Sequence, residues 1–265
     1  MFSSKQGLNL KIHRPSAYLH FSVADRVTDG WKLQLASARR YHSEHLLNLA
    51  PLPQPFRFAM KMECLKAMLP QLPPKTVLVM LDAMDVLFNT SLDSLMATYH
   101  EIVRSLGKDS HGRATSILCN GEKNCWPIPA MASRYPEPAL ATPFPFLNSG
   151  VLIGPSEDIL RVLQTFPWDE KTDDQFYWMQ AYMESRNRSD IPRIEVDHHA
   201  RLACCMHALP TEELYVSQGV AYLKSSGIRP ALLHLNGPVK KHIHQVAAKI
   251  GVQLDKVAGE VIGAP

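Results

Sequence analysis

Two aspartates stand at the end of an apolar run in the first third of the chain. Residues 77–81 are apolar throughout and read as a buried strand of a parallel sheet, and Asp82 and Asp85 follow three positions apart. Ligands bind at the carboxyl ends of strands in open α/β sheets, and Mg²⁺ and Mn²⁺ prefer oxygen ligands. The spacing therefore predicts a divalent-metal site that can bind a nucleotide diphosphate. A simple turn is the structural alternative, because aspartate is common in turns.

A histidine near the end of the chain is a candidate third ligand. His234 follows the apolar residues 231–233, and a lone histidine in such a place is more often a hydrogen-bonded core residue. Strand ends of a doubly wound sheet converge on one edge, so His234 can meet Asp82 and Asp85 despite its distance in sequence. With two carboxylates available, the ligand interpretation is favoured.

Other polar segments fall at predicted strand or helix ends. Asn148 opens a polar interruption of an apolar strand, which indicates a bulge or a close ligand contact equally. Asp173 and Asp174 begin a predicted helix, where acids favour the helix dipole, and one of them is alternatively the group that orients or deprotonates an acceptor hydroxyl. Trp126 lies in a predicted loop, where partly buried packing is favoured over a sugar-stacking role.

The elements that position these residues alternate along the chain. Strands are predicted at residues 18–23, 45–49, 76–81, 115–119, 146–154, 193–196 and 231–234. Helices are predicted at residues 31–41, 58–69, 91–106, 156–165 and 172–185, with Ser91 as an N-cap. Surface loops are predicted at residues 127–145 and 197–230. The alternation predicts an α/β fold, a Rossmann-like, mostly parallel sheet with helices on both faces.

Length and composition allow one domain of ordinary globular character. The 265 residues carry a net charge of only +3, so nucleic acid is not an expected partner. We expect a single domain over residues 1–265, with its core at about 18–240, a mobile N-terminal tail and a weak helix or mobile end after residue 240. No membrane span is expected. Residues 1–15 lack the apolar core of a secretory signal, which predicts a cytoplasmic protein if the chain is complete.

The five cysteines show no metal-binding spacing. Cys119 and Cys125 are too far apart for a zinc-type pair, and either a small disulfide loop or reduced thiols fit their positions. The sequence leaves these two alternatives open.

Taken together, the motifs resemble the glycosyltransferase domain of the procollagen lysyl hydroxylases and their relatives. The similarity runs from about residue 18 to residue 240, and an ordered set of motifs is far more specific than any one of them. The motifs, in chain order, lie at residues 81–88, 125–127, 146–150, 173–175, 197–198 and 234–240.

The resemblance implies a GT-A-type fold, a UDP-sugar donor and a Mn²⁺ ion, with Mg²⁺ as the alternative. It makes Asp82, Asp85 and His234 the metal ligands, and Asp173 and Asp174 the acidic pair of the transfer step. The residues it places along the nucleotide and diphosphate are Val23, Ala24, Asp25, Lys61, Met84, Asn148, Asn236, Gly237 and Lys240. Arg57 is the alternative to Lys61. Met84 departs from the family, which usually carries an aromatic residue there to stack on uracil.

The expected function is metal-dependent transfer of glucose or galactose from a UDP-hexose to a hydroxyl of a protein or glycan. Lysine hydroxylation is not expected of this chain, and the family resides in the lumen of the secretory pathway. An inactive nucleotide-sugar-binding module is the alternative, which Met84 favours and the intact acidic residues oppose. A metal-dependent phosphohydrolase fits poorly, because its nucleophile and acid stand two apart rather than three.

Overall fold

The computed structural model describes residues 17–43, 47–51 and 55–254. Within them the strands are β1 (Tyr18–Ala24), β2 (Leu47–Pro51), β3 (Val77–Asp82), β4 (Val86–Phe88), β5 (Thr115–Glu122), β6 (Phe146–Pro155), β7 (Arg193–Asp197), β8 (Ala203–Cys205), β9 (Leu214–Ser217), β10 (Val220–Leu223) and β11 (Leu232–His234). The helices are α1 (Asp29–Arg40), α2 (Ala59–Met68), α3 (Leu92–Ser105), α4 (Glu137–Leu140), α5 (Ser156–Thr165), α6 (Asp174–Ser185) and α7 (Ile243–Lys249).

The central sheet has six strands in the order β2-β1-β3-β6-β5-β7. The pairings β1–β2, β1–β3 and β5–β7 are parallel, whereas β6 runs antiparallel to both of its neighbours, β3 and β5. The predicted mostly parallel α/β sheet is thereby confirmed. The reversal of β6 brings its first half to the edge where the parallel strands end, which is why the polar interruption at residues 148–150 reaches that edge.

Both faces of the sheet are covered, as alternation along β3 makes clear. Leu78 and Met80 join one core cluster with residues of α2, α5 and α6. Val79 and Leu81 point the other way, into a second cluster with residues of α3 and of the smaller sheet. Successive side chains of a strand face opposite sides, so an unbroken apolar strand requires two covered faces. The prediction of helices on both faces is confirmed.

A hairpin and one strand of a second sheet lie where a loop was expected. Strands β4, β11 and β8 form a three-stranded sheet, and β9 pairs with β10 in an antiparallel hairpin. The prediction of a loop across residues 197–230 is therefore wrong in part. Strands of three or four residues are too short to show a periodic pattern, so their pairing is set by tertiary contacts.

Helix starts follow local capping chemistry. Thr28 accepts a hydrogen bond from the Trp31 amide at 3.2 Å at the start of α1. Ser91 accepts one from the Ser94 amide at 3.2 Å, as predicted for α3.

The predicted surface loop at residues 127–145 contains a 3-10 helix (Pro129–Arg134) and the short α4. None of the helices described is long and apolar enough to cross a bilayer.

Several expectations concern the two ends of the chain and the cysteines. Residues 243–249 form α7, which agrees with the weak-helix alternative for this part of the segment after residue 240. Residues 1–16 and 255–265 lie outside the described residues, as do residues 45 and 46 of the predicted second strand. Cys119 and Cys125 are free thiols, which decides against the disulfide alternative.

Candidate active site

Three predicted metal ligands meet where the two sheets adjoin. Asp82 is the last residue of β3, Asp85 immediately precedes β4, and His234 is the last residue of β11. Antiparallel pairing sets Val86 opposite His234, so the ring lies beside Asp85. One ligand atom from each residue lies within 4.8 Å of the others, a grouping found at no other place in the part of the chain that the structure describes. His234 comes from the smaller sheet and not, as expected, from the main sheet edge.

The unpaired atoms of this cluster fit a divalent cation. The Nε2 atom of His234 lies 3.7 Å from Asp82 Oδ2 and 3.6 Å from Asp85 Oδ1. Both His234 Nε2 and Asp85 Oδ1 are buried without a hydrogen-bond partner. Buried polar atoms are nearly always paired, so two orphaned atoms facing one point indicate a ligand. Two carboxylates and an imidazole are donors that Mn²⁺ accepts.

Lys61 crosses from helix α2 to the aspartates. Its ammonium lies 2.5 Å from Asp82 Oδ1 and 3.1 Å from Asp174 Oδ2. Burial alone would lower the pKa of Lys61, but the two carboxylates outweigh it and raise the pKa above its ordinary range. Lys61 is therefore a permanent cation in the site. Arg57, the alternative, pairs with Glu170 at 2.8 Å and with Glu63 at 3.8 Å.

Lys240 supplies a second cation from the 3-10 helix Gly237–His242. Its side chain is half exposed and lies 2.9 Å from Asp85 Oδ2. Burial would raise the pKa of Asp85, but His234 and Lys240 outweigh it and lower that pKa to about 2. Asp85 is thus ionised across the whole physiological range. Burial disfavours a charged His234, yet Asp85 and Asp82 raise its pKa above the ordinary value.

The acidic pair divides into two different environments. Asp173 is the N-cap of α6 and accepts a hydrogen bond from the Phe176 amide at 2.9 Å. Asp174 is buried, receives a hydrogen bond from Ser149 Oγ at 2.8 Å and pairs with Lys61. Burial raises the pKa of Asp174 despite the nearby ammonium of Lys61. Asp173 therefore caps α6, while Asp174 lies in its first turn, where an acid favours the helix dipole.

The loop after β1 adjoins the aspartate turn. Val23 pairs with Asp82 in the parallel ladder, and Ala24 packs in a small apolar cluster with Trp31 and Met84. Asp25 follows directly, beside Arg26 at 3.6 Å. A side chain on Gly30 would overlap the Met84 carbonyl, so α1 begins in direct contact with the turn. The structure therefore brings Val23, Ala24 and Met84 together next to the group of candidate metal ligands.

A buried polar network joins the remaining predicted residues. Asn148 donates to Gln175 Oε1 at 3.1 Å, and Gln175 in turn donates to Glu122. Asn236 donates to the other oxygen of Glu122 at 3.0 Å. Burial raises the pKa of Glu122 to about 7, although Gln175 opposes that shift. Gly237 has a φ of 62°, which lets the chain turn sharply after Asn236.

Glu122 had no role predicted from the sequence, and the predicted partial burial of Trp126 is wrong. Glu122 ends β5, so a polar residue closing an apolar strand was the available signal. Trp126 was expected to pack in a partly buried position, but it is 58% exposed. Its carbonyl accepts a hydrogen bond from Gln175 at 3.0 Å, so the backbone is fixed while the ring faces solvent. The bulge expected at residues 148–150 is present, since the β5–β6 register shifts at Asn120.

Comparison with known proteins adds a family assignment. A family model described as "PLOD GT domain" matches residues 15–259. The chain is 27% identical over 232 residues to a procollagen-lysine,2-oxoglutarate 5-dioxygenase of Drosophila melanogaster, covering 82% of this chain and 30% of that protein. It is 24% identical over 180 residues to a multifunctional procollagen lysine hydroxylase and glycosyltransferase of Caenorhabditis elegans, covering 66% of this chain and 23% of that protein.

These relatives are much longer than this chain, which spans less than a third of either. Among solved structures, an active-site mutant of LgtC aligns with a TM-score of 0.39 at 11% identity, covering 90% of this chain and 98% of that one.

Proposed function

The chain belongs to the PLOD GT domain family and is a glycosyltransferase domain, and from this premise we propose that it transfers a hexose from a UDP-sugar to a hydroxyl acceptor with the help of Mn²⁺. The donor sugar is glucose or galactose, and the acceptor is a hydroxyl of a protein or glycan. One observation carries the proposal: Asp82, Asp85 and His234 converge within 4.8 Å and leave two buried ligand atoms unpaired.

In this proposal Asp82, Asp85 and His234 hold the metal, with Mg²⁺ as a weaker substitute. When bound, the cation supplies positive charge beside the diphosphate that departs. Val23, Ala24, Asp25 and Met84 form the wall for the nucleoside, because they adjoin the aspartate turn. Met84 packs on the base through its flexible thioether rather than by stacking an aromatic ring.

Two lysines stabilise the leaving group. The bond from the anomeric carbon to the β-phosphate oxygen breaks, the acceptor oxygen bonds to that carbon, and the acceptor proton leaves to a base. Negative charge then builds on UDP, next to the ammonium groups of Lys61 and Lys240. A cation held in a site that excludes water acts strongly on such charge, which applies to the buried Lys61 more than to the half-exposed Lys240. Asn236 and Gly237 place Lys240 by fixing the turn that precedes it.

The two aspartates of the acidic pair take different roles. Asp174 is enclosed by Lys61 and Ser149, so it orients Lys61 and does not reach an acceptor. Asp173 is less buried than Asp174 and is the N-cap of α6, and in this proposal it is the carboxylate that meets the acceptor hydroxyl. Asn148 holds the start of α6 through its hydrogen bond to Gln175.

The test is UDP release by the purified chain. We would supply UDP-glucose and UDP-galactose with Mn²⁺ or with EDTA, and offer free sugars and a hydroxylysine peptide as acceptors. Release that requires both metal and one donor supports the proposal. Asp85→Asn should fall to the EDTA background, because it removes one anionic ligand oxygen at nearly constant shape.

Asp190→Asn is the matched control, since Asp190 pairs with Arg188 on the surface at 2.5 Å. It should release UDP at the parent rate, and both variants should unfold cooperatively, with a lower melting temperature only for Asp85→Asn because that variant loses the charge that pairs with Lys240. Full turnover by Asp85→Asn would overturn the proposal. UDP binding without release from any donor would instead favour the nucleotide-sugar-binding module.

A further inference from the structure

The far side of the His234 ring has an unusual polar environment. While Nε2 faces the two aspartates, Nδ1 lies 3.6 Å from the Sγ atom of Cys205 and 3.5 Å from the Nδ2 atom of Asn120. Cys205 is opposite His234 in the parallel pairing of β8 with β11, and it is fully buried. The strand pairing therefore fixes the sulfur against the imidazole, with no solvent between them.

The amide of Asn120 has one orientation. Its Oδ1 accepts a hydrogen bond from the Val151 amide at 3.1 Å, so its Nδ2 must be the group that faces the ring. That Nδ2 donates to Cys205 Sγ at 2.9 Å. Nδ2 is only a donor, whereas a thiol sulfur accepts hydrogen bonds weakly.

These assignments decide which hydrogen bond the ring can make. A neutral imidazole that binds a cation through Nε2 carries its one proton on Nδ1, and a partner for that proton holds the ring in place. The Nδ1–H group of His234 cannot use Asn120 Nδ2, because both are donors. The sulfur of Cys205 is the acceptor that remains within reach.

We propose that Cys205 is a positioning residue for the metal site: its sulfur accepts the Nδ1–H of His234, so that Nε2 is the ring atom left to bind a cation beside Asp82 and Asp85. The inference rests on the metal site of the proposed function and deepens it. Asn120 sets the sulfur in place by donating to it. Without the sulfur, the tautomer of His234 that carries its proton on Nε2 becomes the more stable one, because Nδ1 can then accept a hydrogen bond from Asn120. That exchange puts a proton on the atom that should bind the metal.

The first measurement is Mn²⁺ affinity without nucleotide, by titration calorimetry or by the EPR signal of free Mn²⁺. Cys205→Ala should weaken binding about tenfold, the lower end for losing a partner of a metal-binding histidine, because sulfur is a weak acceptor. Cys204→Ala is the matched control. Cys204 is equally buried and adjacent, but its sulfur faces Met206 Sδ at 3.8 Å, away from His234. It should bind Mn²⁺ like the parent chain.

A second pair of variants separates the tautomer from simple packing. Cys205→Ser keeps an acceptor at the same place and should bind Mn²⁺ better than Cys205→Ala. Asn120→Asp added to Cys205→Ala should restore affinity, because a carboxylate oxygen then stands where the competing donor stood and accepts the Nδ1 proton. A packing role for the sulfur would not respond to this exchange at residue 120.

The outcomes distinguish this inference from the proposed function. If Cys205→Ala matches Cys204→Ala in Mn²⁺ affinity, or if adding Asn120→Asp restores nothing, the positioning role is overturned while UDP release can still be metal-dependent. If the parent chain binds Mn²⁺ and Cys205→Ala weakens it, the inference stands even where no donor is turned over. A parent chain that binds no Mn²⁺ overturns both.

Discussion

Gly150 lies directly against the ring of His234. A side chain at Gly150 would overlap the Cε1 atom of His234 and would stand 2.9 Å from Asp82 Oδ2. Gly150 belongs to the bulged part of β6, and its amide donates to Asn148 Oδ1 at 2.9 Å, so the backbone cannot simply withdraw. The absence of a side chain at this position is therefore what allows the histidine and the aspartate to converge.

Gly150→Ala should weaken Mn²⁺ binding at the proposed metal site. The added methyl group forces the imidazole or the carboxylate away, and we expect Mn²⁺ affinity to fall by about tenfold or more, as for other disturbances of ligand orientation. Calorimetric titration with Mn²⁺ measures this directly. Gly154→Ala on the same strand is the control, because its nearest neighbours would be Ile117 and Ser116 rather than site residues. Parent-like Mn²⁺ binding by Gly150→Ala would contradict the described packing.

Lys61→Met should destabilise the fold as well as stop transfer. The variant leaves the carboxylates of Asp82 and Asp174 without their shared cation, and breaking a buried ion pair costs about 3 kcal/mol. The free energy of unfolding in urea measures the loss. Adding Asp174→Asn should recover part of it, because one uncompensated buried charge is removed.

Lys32→Met is the control for that series. Lys32 makes an exposed pair with Asp29 at 3.5 Å, and such surface pairs are worth about 0.5 kcal/mol. An equal loss of stability in Lys32→Met and Lys61→Met would show that burial of the Lys61 ion pairs adds nothing to the free energy of unfolding.

Asp173 allows its capping role to be separated from its proposed role in transfer. Asp173→Ala should lose about 1 kcal/mol of stability, since the Phe176 amide loses its acceptor. Asp173→Asn keeps an N-cap oxygen and should unfold at the parent urea concentration, yet hexose transfer from the UDP-sugar to an acceptor should be lost in both variants. Transfer at the parent rate in Asp173→Asn would leave Asp173 with the capping role alone.

Glu122 should make stability fall as the pH rises. Its pKa is about 7 in the folded chain and about 4.3 when unfolded, so the folded state holds the proton more tightly. A raised carboxyl pKa contributes stability that is fully present below about pH 4.3 and is lost as the pH rises through about 7, by about 4 kcal/mol. We expect Glu122→Gln to lack this part of the pH dependence in urea titrations between about pH 5 and pH 8.

The exposed Glu101→Gln is the matched substitution for that experiment. Glu101 pairs with Arg201 on the surface at 2.7 Å, so its removal should leave the pH profile of unfolding as in the parent chain. A Glu122→Gln profile that follows the parent at every pH would contradict a raised pKa at that buried carboxyl.

The secondary-structure elements and the acidic residues of the site could be predicted from the amino-acid sequence. A short apolar run such as residues 77–81 predicts a strand when turn residues flank it. Most of the predicted strands and helices were confirmed within a few residues. Asp82 and Asp85 could be placed because they directly follow such a strand. Ser91 could be placed as a cap because capping depends on neighbouring backbone groups alone. Local chemistry was sufficient for each of these.

The contacts between side chains at the site could not be predicted from the sequence. The antiparallel course of β6 and the short pairing of β4 with β11 depend on contacts between distant segments, which no local pattern encodes. Those contacts bring Lys61 onto Asp174, and they set Cys205 behind the ring of His234. The physical reason is that strand pairing and burial select partners by shape and by hydrogen-bond geometry in three dimensions, whereas sequence periodicity reports only which face of an element is apolar.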